Sequence, residues 1–325
     1  MDTDDTVLNR YKDHFHTINE ELDRVLSSRV PLIKDIGSHS LLGHGKRLRP
    51  LFFVLSSQLC NYQGKDTYHL STIFEYIHTA SLLHDDVLDN AETRRRKPSA
   101  NQVWGNQAAV LEGDFLNSKA SSIAVDAGNL PFLKRIVETI TRMVEGQILE
   151  LTLAHNWDLS KEQYLEVIIA KTAVLMSAAC ACGAIIAGAE KWAVESLSQF
   201  GLNLGVAFQL IDDLLDYTSS EKVFGKPVGK DLREGKITLP LIYAVEKMES
   251  SGKRRLEALF KSHRAAEKDY QGVIRLVKSN ENIDRVLADA KAYVDKAAKC
   301  LSPFPESPVK ESLLELNKYI IQRDC

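Results

Sequence analysis

Two aspartate clusters have the residue types and spacing for chemistry: Asp85-Asp86-Val87-Leu88-Asp89 and Asp212-Asp213-Leu214-Leu215-Asp216. With Asp at about one residue in twenty, such a pattern arises about 0.04 times by chance in a chain this long, so two copies call for a chemical reason. Residues four apart share a helix face, which pairs Asp85 with Asp89 and Asp212 with Asp216. Each cluster follows an apolar run, Ala80-Ser81-Leu82-Leu83 in one case and Phe208-Gln209-Leu210-Ile211 in the other. The carboxylates therefore gather near a helix C-terminus, against the helix dipole and against one another. Divalent cations relieve both costs. Oxygen-only donors select a hard ion, and few carboxylates completed by substrate phosphates suit Mg²⁺.

Cations follow both clusters. Arg94, Arg95, Arg96 and Lys97 come after the first; Lys222, Lys226, Lys230 and Lys236 come after the second, among Gly225, Gly229 and Gly235. A third basic group is Gly45-Lys46-Arg47-Leu48-Arg49-Pro50. A short basic run by itself is ordinarily a solvated surface. Beside the aspartates, the simplest chemistry is a polyphosphate held between Mg²⁺ and Arg or Lys. Two separate groups, Lys46/Arg49 and Arg94/Arg95, point to two phosphate-bearing ligands.

The elements that must position these groups read as helices. Apolar residues recur at three and four, as in Ile73, Ile77, Ala80 and Leu83, or Tyr164, Ile168, Leu175 and Ala179, and no alternation of period two is sustained. The pattern predicts helices near 5–28, 47–61, 68–90, 103–126, 130–153, 160–188, 190–218, 238–248, 253–262, 266–278, 281–300 and 308–322. Ser160 with Gln163 forms a capping box, and Ser307-Pro308 a cap with a first-turn proline. Loops are expected at 90–101 and 219–237. The chain has 325 residues, 44% hydrophobic and 26% charged, with only 17 Gly and 9 Pro. Those glycine and proline counts fall below average usage and argue against an all-β or disordered chain. With no solenoid repeat and no Ser/Gly linker, the expectation is one all-α domain over residues 1–325.

Charge and cysteines exclude other classes. A net charge of −3 gives no basic field for nucleic acid. Five scattered cysteines form no zinc spacing and no disulfide framework, which suits a reducing cytoplasm. The acidic start lacks the regions of a signal peptide. The apolar stretch from Ser177 to Ala189 is too short to span a bilayer and reads as a core helix.

Taken in order, these motifs resemble the trans-isoprenyl diphosphate synthases, within them the long-chain polyprenyl type that makes octaprenyl diphosphate. The resemblance runs from Gly45-Lys46-Arg47-Leu48-Arg49-Pro50 through Ile77-His78-Thr79-Ala80-Ser81-Leu82-Leu83-His84 and the first aspartates. It continues in Gly113-Asp114-Phe115-Leu116, Gly146-Gln147 with Glu150, Lys171-Thr172-Ala173 and Phe208-Gln209. It ends in Phe224-Gly225-Lys226, Gly229-Lys230-Asp231, Gly235-Lys236-Ile237-Thr238-Leu239-Pro240 and Tyr319 to Arg323. It implies a bundle of ten or more helices around a central cavity, a homodimer, and two aspartate motifs facing each other across the cavity mouth. It further implies that Asp85 and Asp89 hold two Mg²⁺ ions and Asp212, with Asp216, a third. Arg94, Lys171 and Lys226 would bind an allylic diphosphate, with Lys236 a further substrate-binding residue. Lys46, Arg49, His78 and Arg95 would bind isopentenyl diphosphate. Thr172 and Gln209 would lie near the developing cation. Two positions depart from the family pattern: Arg96 stands where Gly follows the Arg pair, and His44 where a second Gly precedes Gly45. Neither removes a ligand.

The implied reaction breaks an allylic carbon–oxygen bond, joins the cation to isopentenyl diphosphate and loses a proton. Positive groups would stabilise the departing diphosphate, and a dry apolar tunnel would protect the cation. Ala80 and Ser81 lie about one turn before Asp85, where short-chain relatives carry bulky floors. Their small size predicts a tunnel open past twenty carbons and an octaprenyl product for a quinone side chain, with farnesyl diphosphate as a starter. Release of so apolar a product implies transient membrane contact. The alternatives are a short-chain synthase, a terpene cyclase, which needs no second diphosphate site, and a non-catalytic partner subunit.

Overall fold

The structure, a computed structural model, describes residues 7–42, 45–94, 97–218, 228–262 and 264–322. It is all-α, as the periodicity requires. The helices are α1 (Lys12–Val25), α2 (Pro31–Ser40), α3 (Leu48–Leu59), α4 (Thr67–Leu88), α5 (Ala100–Asp126), α6 (Leu130–Leu153) and α7 (Lys161–Ile168). After a π turn at Ile169–Ala173 come α8 (Val174–Ile186), α9 (Lys191–Thr218), α10 (Lys230–Arg233), α11 (Leu239–Val245) and α12 (Ser250–Lys261). The last three are α13 (Glu267–Val277), α14 (Asn280–Cys300) and α15 (Pro308–Gln322). A two-residue antiparallel hairpin pairs β1 (Thr93–Arg94) with β2 (Lys97–Pro98).

The chain divides into two compact units. The first comprises Met1–Ile140, Leu175–Gly201 and Cys300–Glu315, the second Thr141–Val174, Leu202–Lys299 and Leu316–Cys325. The core of the first is aromatic. Phe53 packs on Phe74 at 5.2 Å and on Phe132 at 6.2 Å, and Phe52 meets Phe200 edge-on. Leu51, Ile73, Ile77 and Ala80 of the same unit are buried as well. Helix α2 is not expected from the sequence: it opens on Pro31 and buries only Ile36 and Gly37, too little to write an apolar stripe. Helix α5 starts earlier than the expected 103, but it is broken at Gly105, whose φ of 84° and ψ of 160° are not helical. Ala91 and Ser99, on either side of the hairpin, fold back onto the end of α4: the Ala91 N–H reaches the Asp86 carbonyl at 2.8 Å and Ser99 Oγ donates to the Ala91 carbonyl.

One side chain of this unit is out of place by its chemistry. Glu112 on α5 is 2% exposed, and neither carboxylate oxygen has a hydrogen-bond partner. Burial lifts its carboxyl from the ordinary 4.5 to about 7.

In the second unit the expected capping box is present: the Gln163 N–H donates to Ser160 Oγ at 3.2 Å, and the Ser160 N–H to Gln163 Oε1 at 3.0 Å. In the first unit Ser307 likewise caps α15 by accepting the Lys310 N–H at 3.2 Å. Trp157, Tyr164, Leu210, Ile211, Leu214 and Phe260 belong to one buried apolar cluster of the second unit. Lys161 Nζ at the start of α7 binds Asp289 Oδ2 at 2.7 Å and Tyr243 Oη at 2.9 Å, fastening α7 to α14 and α11. Instead of the unbroken helix expected over 160–188, the π turn interrupts the run. There the Val174 N–H bonds back five residues to the Ile169 carbonyl. The run Lys161–Ile186 is long and apolar enough to cross a membrane, but 72% of its most apolar window is buried within the protein, as in a core helix.

Candidate active site

Helix α4 carries His78, Ala80, Ser81, Asp85 and Asp86, with Asp89 as its C-terminal cap. Within the first cluster the three carboxylates differ. Asp86 is buried, whereas Asp85 and Asp89 are half-buried at positions that share a face. Asp86 Oδ1 accepts the Arg94 Nε at 3.0 Å and a second, shorter contact from the same guanidinium. Burial opposes the Arg94 charge, but Asp86, with Asp85 and Asp89 close by, holds its pKa above the ordinary value. The hairpin thus folds Arg94 back onto the helix that bears the cluster. Arg94, His39, Lys97, Thr79 and Asp86 line a small recess in this unit. Ala80 is fully buried; Ser81 is half-buried, and its Oγ donates to the His78 carbonyl at 2.8 Å.

The basic segment before α3 is anchored by a residue that is not among the candidates the sequence offers. Arg47 is 4% exposed and sits at a φ of 47°. Its guanidinium pairs with Glu75 Oε1 and the Leu41 carbonyl, and its Nε donates to Asn19 Oδ1 at 2.9 Å. Lys46 is exposed and Arg49 half-buried on either side of it. Glu75 lies three residues before His78 on α4, so the Arg47–Glu75 pair ties the Lys46/Arg49 segment to the helix that carries His78.

In the second unit, Lys171 and Thr172 sit on the π turn, half-buried. Lys171 Nζ binds Glu150 Oε2 of α6 at 2.6 Å. On α9, Asp213 is buried and accepts from Tyr164 Oη at 2.6 Å and from Gln209 Nε2 at 2.7 Å. Burial raises the Asp213 pKa; the Tyr164 and Gln209 hydrogen bonds oppose the rise, and the Asp212 charge adds to it. Asp212 and Asp216 are less buried. Asp216 accepts the backbone N–H groups of Lys230 at 3.2 Å and Asp231 at 3.1 Å, so it caps the four-residue helix α10. Burial again raises its pKa, against those two bonds. Lys236 Nζ binds Glu234 Oε2 at 2.7 Å. Arg95 and Lys226 lie outside the described residues. Glu150 is quoted among the sequence motifs without a role, and Tyr164 only in an apolar stripe, because each gains its role through a partner more than twenty positions away.

Among the described residues no group of three or more His, Cys, Asp or Glu side chains is assembled to hold a metal unaided. The donors present are carboxylate pairs spaced four apart, an all-oxygen set short of a full shell. That fits a hard ion whose remaining positions are filled by diphosphate oxygens and water.

Comparisons with known proteins show the family. A family model described as polyprenyl synthetase matches residues 30–277. The octaprenyl diphosphate synthase of Escherichia coli (strain K12) is 36% identical over 307 residues, covering 94% of this chain and 95% of that one. Heptaprenyl diphosphate synthase component 2 of Bacillus subtilis (strain 168) is 34% identical over 312 residues, covering 96% and 88%. A crystal structure of a polyprenyl synthase from Caulobacter crescentus CB15, complexed with calcium and isoprenyl diphosphate, superposes with a TM-score of 0.92 at 35% identity, covering 99% and 98%. A family match over most of the chain, relatives above 30% identity and the same all-α fold lead to one conclusion: this chain is a member of the polyprenyl synthetase family, a trans-prenyltransferase.

Proposed function

We propose that the protein adds isopentenyl diphosphate repeatedly to an allylic diphosphate such as farnesyl diphosphate, with Mg²⁺ bound, and releases a long-chain all-trans polyprenyl diphosphate, octaprenyl by preference, for a quinone side chain. The observation that carries this reading is the division of labour within each aspartate motif. Asp86 and Asp213, the middle residues, are buried and bound by side-chain donors of the protein, and the flanking aspartates occupy less buried positions, Asp216 also accepting the backbone N–H groups of Lys230 and Asp231. Asp85 and Asp89, with Asp212 and Asp216, are the proposed holders of three Mg²⁺ ions. When bound, Mg²⁺ would neutralise charge on the leaving diphosphate.

The protein's own groups do the rest. Arg94, Lys171 and Lys226 bind the allylic diphosphate, with Lys236 alongside; Lys46, Arg49, His78 and Arg95 bind isopentenyl diphosphate. Thr172 and Gln209 turn oxygens toward the allylic cation. Apolar walls exclude water, and the departing diphosphate takes the proton lost after condensation. Glu150 Oε2 accepts from Lys171 Nζ and so fixes the position of that side chain on the π turn. Relatives that are named octaprenyl and heptaprenyl synthases support the long-chain product over a short-chain one. The relative named component 2 supports a second reading, in which a further chain is required.

We infer a homodimer as well. On α6, Leu130, Val137, Val144 and Leu151 recur every seven residues and are 74%, 49%, 55% and 56% exposed, an apolar seam suited to a second copy. The chain acts as one domain over residues 1–325, in the cytoplasm, touching membrane only to release product. The test is one incubation of the purified protein with Mg²⁺, farnesyl diphosphate and excess isopentenyl diphosphate, with chains sized after dephosphorylation. Products beyond twenty carbons support the reading. Products stopping at twenty make it a short-chain synthase, a cyclic hydrocarbon makes it a cyclase, and no product from the single chain favours the two-component reading.

A further inference from the structure

The π turn that carries Lys171 and Thr172 is gripped by two glycines. Gly146 of α6 lies so close that a Cβ there would stand 2.6 Å from the Lys171 nitrogen, 2.8 Å from the Ala170 carbonyl carbon and 2.8 Å from the Ala170 Cβ. Gly205 of α9 is equally close on Ala173, with a Cβ falling 2.7 Å from its Cα and 2.9 Å from its Cβ. A wide turn of this kind is rare and is kept only where its surroundings hold it. Each glycine also stands four residues before a site partner on the same helix face: Gly146 before Glu150, which binds Lys171, and Gly205 before Gln209, which binds Asp213. Both helices are thus registered on the turn at the level where their polar groups act.

We propose that Gly146 and Gly205 are positioning residues: their missing Cβ atoms let α6 and α9 close on the π turn and hold Lys171 and Thr172 where the allylic diphosphate needs them. This rests on the reading of Lys171 and Thr172 as allylic-site residues. Carbon contacts settle at about 3.5 Å, so a methyl at either glycine moves the turn by about 1 Å. A displacement of that size from a mutation outside the chemistry costs about 100-fold in rate.

The test compares Gly146→Ala, Gly205→Ala, Gly146→Ala with Ala170→Gly, and Lys171→Gln, with Gly272→Ala as control, since nothing lies within 4 Å of a Cβ there. The expected result is a loss of about 100-fold in kcat/KM for the allylic diphosphate in both alanine variants. The KM for isopentenyl diphosphate should stay within about twofold, and Ala170→Gly should restore part of the Gly146→Ala loss. Wild-type allylic kinetics in both soluble alanine variants, with Lys171→Gln impaired, overturn the proposal. Wild-type kinetics in Lys171→Gln overturn instead the allylic-site reading beneath it. Should an alanine variant fail to fold, Ala170→Gly alone opens a gap at the same contact; it must raise the allylic KM and leave the isopentenyl KM unchanged, and no change in either refutes the clamp.

Discussion

Glu112 gives a stability test that is independent of catalysis. Its carboxyl is buried, lacks a hydrogen-bond partner and is raised from 4.5 to about 7. A raised carboxyl pKa favours the protonated folded state. Its contribution is therefore complete below pH 4.5, falls away as the pH climbs toward 7, and is gone above that. Each tenfold gain in proton affinity on folding corresponds to about 1.4 kcal/mol, so the full loss is about 3 kcal/mol. Between pH 5 and pH 8 the folded protein should lose about 2.5 kcal/mol through this one group. Replacing it by Leu, which has no charge to bury, removes that slope. Urea unfolding of the wild type and of Glu112→Leu at pH 5 and pH 8, at one fixed protein concentration, should show the variant's advantage growing by about 2.5 kcal/mol with pH. A Glu112→Gln comparator should lose the same slope, although its buried amide lowers stability at both pH values. Parallel pH profiles for wild type and Leu variant, within about 0.5 kcal/mol, would refute the assignment of the slope to Glu112.

Three further outcomes follow from named contacts. Arg47→Met leaves Glu75 buried without its cation and should cost about 3–5 kcal/mol of stability, read by urea unfolding, whereas the double change with Glu75→Leu should recover much of it. Ser81→Phe should shorten the product chain without abolishing turnover, read by sizing the dephosphorylated products; Ala80→Tyr is the poorer test, because Ala80 is fully buried and a ring there must displace the core. Val144→Glu, in the middle of the α6 seam, should shift the protein from dimer to monomer in sedimentation while its far-ultraviolet spectrum is unchanged.

The helical architecture is legible because long amphipathic helices write their period into the sequence, as Ile73, Ile77, Ala80 and Leu83 do in α4. Caps are legible for the same local reason: Ser160 and Gln163 need only each other. What escapes is whatever depends on distant partners. The π turn inserts one residue into a run whose apolar pattern continues on both sides, so 160–188 reads as one helix. The motif order puts Arg94 against a diphosphate, and nothing in its spacing reveals that the hairpin brings it back to Asp86. Lys171 and Lys236 look like bare cations in the sequence, although Glu150 and Glu234 hold them. The central aspartates look equivalent to their neighbours; burial, with Arg94 on Asp86 and with Tyr164 and Gln209 on Asp213, sets them apart.

Arg47 spends its charge within the fold, and that shapes the thermodynamics of its neighbours. Fixing one residue's backbone costs about 1–2 kcal/mol in conformational entropy. Were the segment around Lys46 and Arg49 loose, each arriving isopentenyl diphosphate would have to order it anew. Three hydrogen bonds from one guanidinium to Glu75, Asn19 and the Leu41 carbonyl impose that order when the chain folds. On the proposed reading the enzyme binds this substrate once for every isoprene unit added. An ordering penalty at binding would recur with each unit and weaken every step alike; here it is met a single time, before the first substrate arrives.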